Sequence, residues 1–112
     1  MRTINFSRYN KYKAKKSTYK GRSYHSGLER AYAEKLDWLK KAGEIKSWTP
    51  QFKLSLDLNG VHIANYFMDF AVYFKDGRIE MHEVKGYETE VWKMKWKLAK
   101  AIYQEYNFVL IK

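Results

Sequence analysis

The tripeptide Lys75-Asp76-Gly77 interrupts a long run of alternating apolar residues and commits that part of the chain to a hairpin. The segment from Tyr66 to Gly86 reads YFMDFAVYFKDGRIEMHEVKG, two strands around that loop. A three-residue loop with glycine last suits a type I turn followed by a left-handed residue. It pairs Phe74 with Arg78, which sets Asp69 opposite Glu83 and Phe67 opposite Lys85. Opposed residues share a face of a sheet, as do residues two apart. Asp69, Glu83 and Lys85 are therefore expected on one side. A two-residue Asp-Gly turn would instead oppose Asp69 to Val84 and split the cluster across the sheet, absent a bulge.

Charge is the second constraint. The net charge is +10 over 112 residues, and it is uneven. Arg2, Arg8, Lys11, Lys13, Lys15, Lys16, Lys20 and Arg22 precede any acid, since the first is Glu29. Tyr9, Tyr12, Tyr19 and Tyr24 are interleaved with them. Residues 1–25 are expected to be a basic, flexible arm, with at most a short helical turn. Its cations suit phosphates and its tyrosines suit exposed bases; the plainer alternative is a solvated tail. Residues 26–112 are expected to form one folded domain, for which 46% hydrophobic residues are ample. No apolar run is long enough for a membrane span, and none reads as a signal peptide. With no cysteine, disulfides and cysteine-based zinc sites are excluded, and a cytoplasmic setting is expected.

Taken in order, Ser26-Gly27-Leu28-Glu29 opens a helix as a capping box. Leu28, Ala31, Tyr32, Leu36 and Leu39 give its apolar stripe, and Gly43 stops it. Glu29 then has two readings: a cap partner reaching back to the Ser26 amide, or an acid aimed at the cluster. Glu44 to Trp48 reads as a short extended piece broken by Thr49-Pro50. Gln51 to Leu58 alternates as a half-buried strand near a sheet edge, and Asn59-Gly60 is a hairpin signal leading into Val61–Phe74. On the central hairpin, Ala71, Tyr73, Ile79 and Met81 share the face of the cluster. Met68, Phe70, Val72, Phe74 and Val84 take the other. Both faces are apolar, so a helix is expected on each. The second helix runs from about Thr89 to Tyr106, and Asn107–Ile111 is a last strand. The expected fold is α/β, with a mixed central sheet of about five strands flanked by two helices, in the order α-β-β-β-β-α-β. On the second helix, Lys93 and Lys95 lie just downstream of the cluster and are candidates for phosphate contact, against the alternative of a solvated lysine face.

Charges on a largely apolar sheet must converge on each other, a metal or a cleft. Hard divalent cations such as Mg²⁺ take carboxylate, carbonyl and water oxygens. Asp69 and Glu83 supply two carboxylates and the Val84 carbonyl a third oxygen, while Lys85 can orient a water or stabilise a phosphorane-like transition state. That combination points to metal-assisted phosphodiester hydrolysis. His25, His62 and His82 are not clustered, and neither a Gly-rich phosphate loop nor G-x-S-x-G occurs.

Met68-Asp69 followed by Glu83-Val84-Lys85, with Glu29 on the first helix, resembles the PD-(D/E)XK nuclease superfamily. More narrowly, SGLERAYAEKLDWLKKAGEIKSW, TPQFKL and HEVKGYETEVWKMKWKL are similar to small phage-encoded endonucleases of the Holliday-junction-resolvase type. The resemblance implies a restriction-endonuclease-like core, Mg²⁺ or Mn²⁺ dependence, and action as a homodimer on branched DNA such as a four-way junction in the host cytoplasm. It implies catalytic roles for Glu29, Asp69, Glu83 and Lys85, with Asp69, Glu83 and Glu29 as metal ligands, and it places Gln51 at the border of the site. Met68 departs from the motif's proline without touching a ligand. DNA contacts are expected from Lys11, Lys13, Lys15, Lys16, Lys20, Arg22, Gln51, Lys93 and Lys95. Two other functions fit the same residues: a nicking or repair endonuclease of lower structural preference, and a non-enzymatic DNA-binding accessory protein.

Overall fold

The computed structural model describes residues 2–4 and 16–112. Its elements are β1 (Arg2–Ile4), β2 (Ser17–Tyr19), β3 (Arg22–Tyr24), α1 (Gly27–Lys41), β4 (Ser47–Leu58), β5 (Val61–Tyr73), β6 (Ile79–Val84), α2 (Glu90–Ile102) and β7 (Asn107–Ile111). Five strands form a mixed sheet in the order β1-β7-β6-β5-β4. The β4–β5 and β5–β6 pairs are antiparallel, and β6–β7 and β7–β1 are parallel. The α/β class, the five-stranded mixed sheet and the two flanking helices are those expected.

The central hairpin closes through three residues. Phe74 N–H donates to the Arg78 carbonyl at 3.0 Å, Gly77 N–H donates to the Phe74 carbonyl at 3.1 Å, and Gly77 has φ +94°. Glycine takes that left-handed φ without a Cβ clash, so the loop conformation follows from Gly77 itself. The register runs from Tyr73 opposite Ile79 to Phe70 opposite His82. One step further it places Asp69 against Glu83.

Each helix covers one face. Trp92, Trp96 and Ala99 of α2 pack with Leu54, Leu56, Met68, Ala71 and Met81. Tyr32, Ala33 and Leu36 of α1 pack with Phe70, Val72, Val109 and Ile111. Met68 is thus not on the face of Phe70, contrary to simple alternation. Gln51 is the cause: it sits at φ +52° between the pairs Pro50–Phe70 and Phe52–Met68. A left-handed residue turns the strand over, so Trp48 faces α1 while Phe52 and Leu54 face α2, and β5 follows. The pieces Glu44–Trp48 and Gln51–Leu58 are joined in one strand, β4. Pro50 does not break it because β4 is an edge strand, where a missing donor costs no ladder bond. The second helix ends at Ile102, short of Tyr106: Tyr103 leaves helical geometry, and its hydroxyl donates to the Ser55 carbonyl at 2.7 Å.

Residues 1–25, expected as a flexible arm, carry strands in their described part. β1 extends the sheet beside β7, and β2–β3 is a hairpin on α1 with Lys20 and Gly21 both at positive φ. Two positive φ values match the right-handed twist of a tight hairpin. The hairpin is tied down by Tyr19, whose hydroxyl donates to Asp37 at 2.6 Å, and by Lys20, 3.1 Å from the same carboxylate. Asp37 also accepts from Trp48 Nε1 at 2.9 Å.

Beneath α1, a buried polar chain runs along β6. The Tyr32 hydroxyl lies 2.7 Å from His82 Nδ1, and His82 Nε2 lies 2.9 Å from Glu80. Arg2 and Arg78 flank Glu80 at 3.1 and 3.2 Å. Burial holds His82 below its ordinary pKa despite Glu80, so the folded protein keeps it neutral. The unfolded chain protonates this histidine below about pH 6.5, so its stability contribution is present above that pH and is lost as pH falls. His82→Gln is therefore expected to remove this component: from pH 8 to pH 5.5 its urea unfolding free energy should shift upward relative to the wild type's, whatever the slope set by the other acids.

Candidate active site

Past the Phe70–His82 pair the backbone ladder between β5 and β6 gives way to side chains. Asp69 N–H donates to Glu83 Oε1 at 3.3 Å, and Val84 N–H donates to Asp69 Oδ2 at 2.8 Å. The two acids therefore hold the strand ends together as well as each other's position. Glu83 Oε2 accepts from Trp92 Nε1 at 3.0 Å, and the same N–H reaches the Tyr66 hydroxyl at 2.7 Å.

Glu29 arrives from the first turn of α1. Ser26 Oγ accepts from Glu29 N–H at 3.0 Å, as a capping box requires. The Glu29 carboxylate does not return to the Ser26 amide; it accepts from His25 N–H at 3.1 Å and lines the same cavity as Asp69. Of the two readings of Glu29, the reach back to the Ser26 amide is not made, and the carboxylate lies beside the cluster, in the cavity that Asp69 and Glu83 also line. Trp92 occupies the first turn of α2, where Thr89 caps the Trp92 amide at 3.1 Å. The cluster thus lies near the N-terminal ends of both helices, whose partial positive charge favours anions.

Glu29 and Glu83 are only 5% and 4% exposed. Burial pushes the Asp69 carboxyl well up, and the neighbouring charges of Glu83 and Glu29 push it further. Burial also raises Glu83, against the opposing pull of Lys85. A buried acid penalised by like charges, as Asp69 is, holds a proton or takes up a cation. Lys85 is half-buried, with Nζ 5.3 Å from the Trp92 ring centroid.

A cavity of about 340 Å³ is lined by His25, Glu29, Asp69, Glu83, Val84, Lys85 and Tyr87. A second, of about 430 Å³, adds Gln51, Phe67, Trp92 and Lys95 to Asp69, Glu83 and Lys85. Glu29, Asp69, Glu83, Val84, Lys85, Gln51 and Lys95 are therefore brought together. Lys93 is not; it pairs with Glu90 at 3.3 Å. Lys20 is held by Asp37, and Arg22 lines a separate cavity beside Tyr19 and Trp48. Lys16 is exposed, and Lys11, Lys13 and Lys15 lie outside the described residues.

Among the described residues no three His, Cys, Asp or Glu side chains are grouped to hold a metal ion. The donors nevertheless fit Mg²⁺ or Mn²⁺, which are commonly held by one or two carboxylates with water and substrate oxygens completing the shell. Asp69 and Glu83 supply those two carboxylates, and they line one cavity with the Val84 backbone and Lys85.

Sequence reasoning missed His25, Tyr66 and Trp92. Trp92 reads as core by helical spacing, and only its N–H, aimed at Glu83, gives it a second task. Trp92→Phe removes that donor and leaves a buried carboxylate one hydrogen bond short, at an expected cost of about 1–3 kcal/mol; denaturant unfolding in the absence of divalent cations measures it.

Among the described residues no helix is long and apolar enough to cross a membrane. No curated protein and no solved structure matches the chain. A family model described as "Protein of unknown function (DUF1064)" matches residues 9–112, taking in both helices, strands β2 to β7 and every residue of the acid cluster. The chain belongs to the DUF1064 family.

Proposed function

We propose that the protein is a metal-dependent DNA endonuclease of the Holliday-junction-resolvase type, cutting phosphodiester bonds in branched DNA as a homodimer. The observation that carries this reading is the meeting of Asp69, Glu83 and Glu29 with Lys85 in one cleft, in a chain of net charge +10. Structural ion pairing does not account for it, because among the described residues no ion pair neutralises Asp69, whose carboxyl is pushed up by burial and by the charges of Glu83 and Glu29. A Mg²⁺ or Mn²⁺ ion held by Asp69 and Glu83 would supply Lewis acidity and positive charge at the scissile phosphate. Glu29 and the Val84 carbonyl are further oxygens for it. Trp92 and Tyr66 orient the Glu83 carboxylate. Lys85 orients the attacking water and stabilises charge building on the phosphate. Lys95 and Gln51 border the same cleft and steady the DNA backbone. A homodimer would present two such sites to two strands, as symmetric cutting of a four-way junction requires.

The test is cleavage of four-way junction, flap and linear duplex with Mg²⁺. Junction cutting is expected, with Lys85→Ala slowing it by about 10²–10³-fold while leaving binding in place. Equal cutting of all substrates would favour a nicking or repair enzyme. Salt-sensitive binding without any cutting would favour an accessory DNA-binding protein.

A further inference from the structure

The mouth of the acid cleft is not lined as a site for backbone phosphates alone would be. Phe67 is 50% exposed and lines the second cavity, Tyr87 is 80% exposed and lines the first, and Asp69, Glu83 and Lys85 line both. They come from two separate segments, β5 and the connection between β6 and α2. Phe67 stands where β5 has run past its partner, since the β5–β6 pairing stops at Phe70. Covering these rings with a flat apolar group would take their surface out of water, which is favourable. The adjacent cations are Lys85 and Lys95. Rings next to cations suit a nucleotide, with base on ring and phosphate on ammonium. A paired base inside a duplex is already stacked on both sides and cannot lie on Phe67.

We propose that this mouth takes an unpaired nucleotide next to the scissile phosphate, its base stacked on Phe67 and flanked by Tyr87. The inference rests on the endonuclease reading and narrows its substrate: DNA with a splayed or unpaired position at the cutting site, in preference to continuous duplex. Phe67 is then a residue that selects substrate, while the acids and Lys85 do the chemistry.

The experiment uses the full chain in EDTA with two oligonucleotide duplexes of equal length, one fully paired and one with splayed arms. The splayed one carries 2-aminopurine at its first unpaired position. Anisotropy gives both affinities, and 2-aminopurine fluorescence reports stacking. The wild type is expected to favour the splayed duplex and quench the probe. Phe67→Ala is expected to lower the splayed-to-paired affinity ratio about tenfold and to abolish the quench. Trp38→Ala, which removes a still more exposed ring on α1, should leave the ratio alone. Circular dichroism and melting confirm that each variant folds. An unchanged ratio in Phe67→Ala overturns the inference. So does a change from dimer to monomer in sedimentation without loss of quench, which would make the rings an interface between copies. Mg²⁺ cleavage in parallel separates the two readings: cutting with no dependence on Phe67 removes this inference alone, whereas quench and ratio effects without cutting remove the endonuclease reading and keep the nucleotide pocket.

Discussion

Asp69→Asn is expected to end cleavage and, in the same protein, to raise its melting temperature. The first effect follows from the proposed role: losing one of two metal-holding carboxylates at a charged transition state costs about 10³-fold or more. The second follows from electrostatics alone. Burial and the charges of Glu83 and Glu29 place the folded-state pKa of Asp69 well above its ordinary value. A raised acid contributes stability that is fully present below its unfolded pKa and is lost as pH rises through the folded one. Near neutrality the wild type without metal therefore carries an electrostatic penalty that asparagine does not. In a domain of this size each kcal/mol moves Tm by roughly 4–8 °C, so calorimetry resolves the gain. Divalent cation should stabilise the wild type and not the variant, because it binds the ionised acids. A variant that is destabilised in EDTA, or that still cuts, contradicts the assignment of Asp69.

Phe70→Ala is expected to be the most damaging truncation in the core. Phe70 is fully buried and meets Tyr24 of β3, Tyr32 of α1 and Trp48 of β4, with ring centroids 6.2, 5.6 and 5.5 Å apart. Removing the ring leaves a cavity beneath three elements at once, at a cost of about 3–5 kcal/mol. That is a large part of the roughly 5–15 kcal/mol that holds a typical domain together. The loss also reaches the site, because α1 carries Glu29 and Phe70 adjoins Asp69 in the chain. Equilibrium urea unfolding of Phe70→Ala and Phe70→Leu measures it. The leucine variant keeps most of the volume and should lose less than half as much. Equal losses in the two variants would mean that the cavity is not the cause.

The residues of the cleft differ in how far their place could be foreseen. Glu83 and Lys85 follow from alternation along one strand, and Asp69 from the loop that sets the hairpin register. Glu29 follows from a cap, Ser26, three residues earlier. In each case the determining interaction spans a few residues, so the local pattern contains it. Trp92 and Tyr66 belong to α2 and β5, and they meet at Glu83 only because α2 packs across the sheet. Lys93 and Lys95 look alike in the chain, yet one turns to Glu90 and the other to the cleft. The orientation of α2 decides between them.

By itself, then, the sequence determined the Lys75-Asp76-Gly77 loop, the Ser26 cap, the opposition of Asp69 to Glu83 and the need for a helix on each face. These rest on hydrogen bonds and on glycine's access to positive φ, which act between near neighbours. Only the tertiary structure decided that Gln51 turns β4 over and moves Met68 to the α2 face. It alone brought Arg2–Ile4 alongside β7 and set the N-terminal ends of both helices beside one acid cluster. Those outcomes depend on burying two apolar faces at once, a condition on the whole chain that no short segment carries.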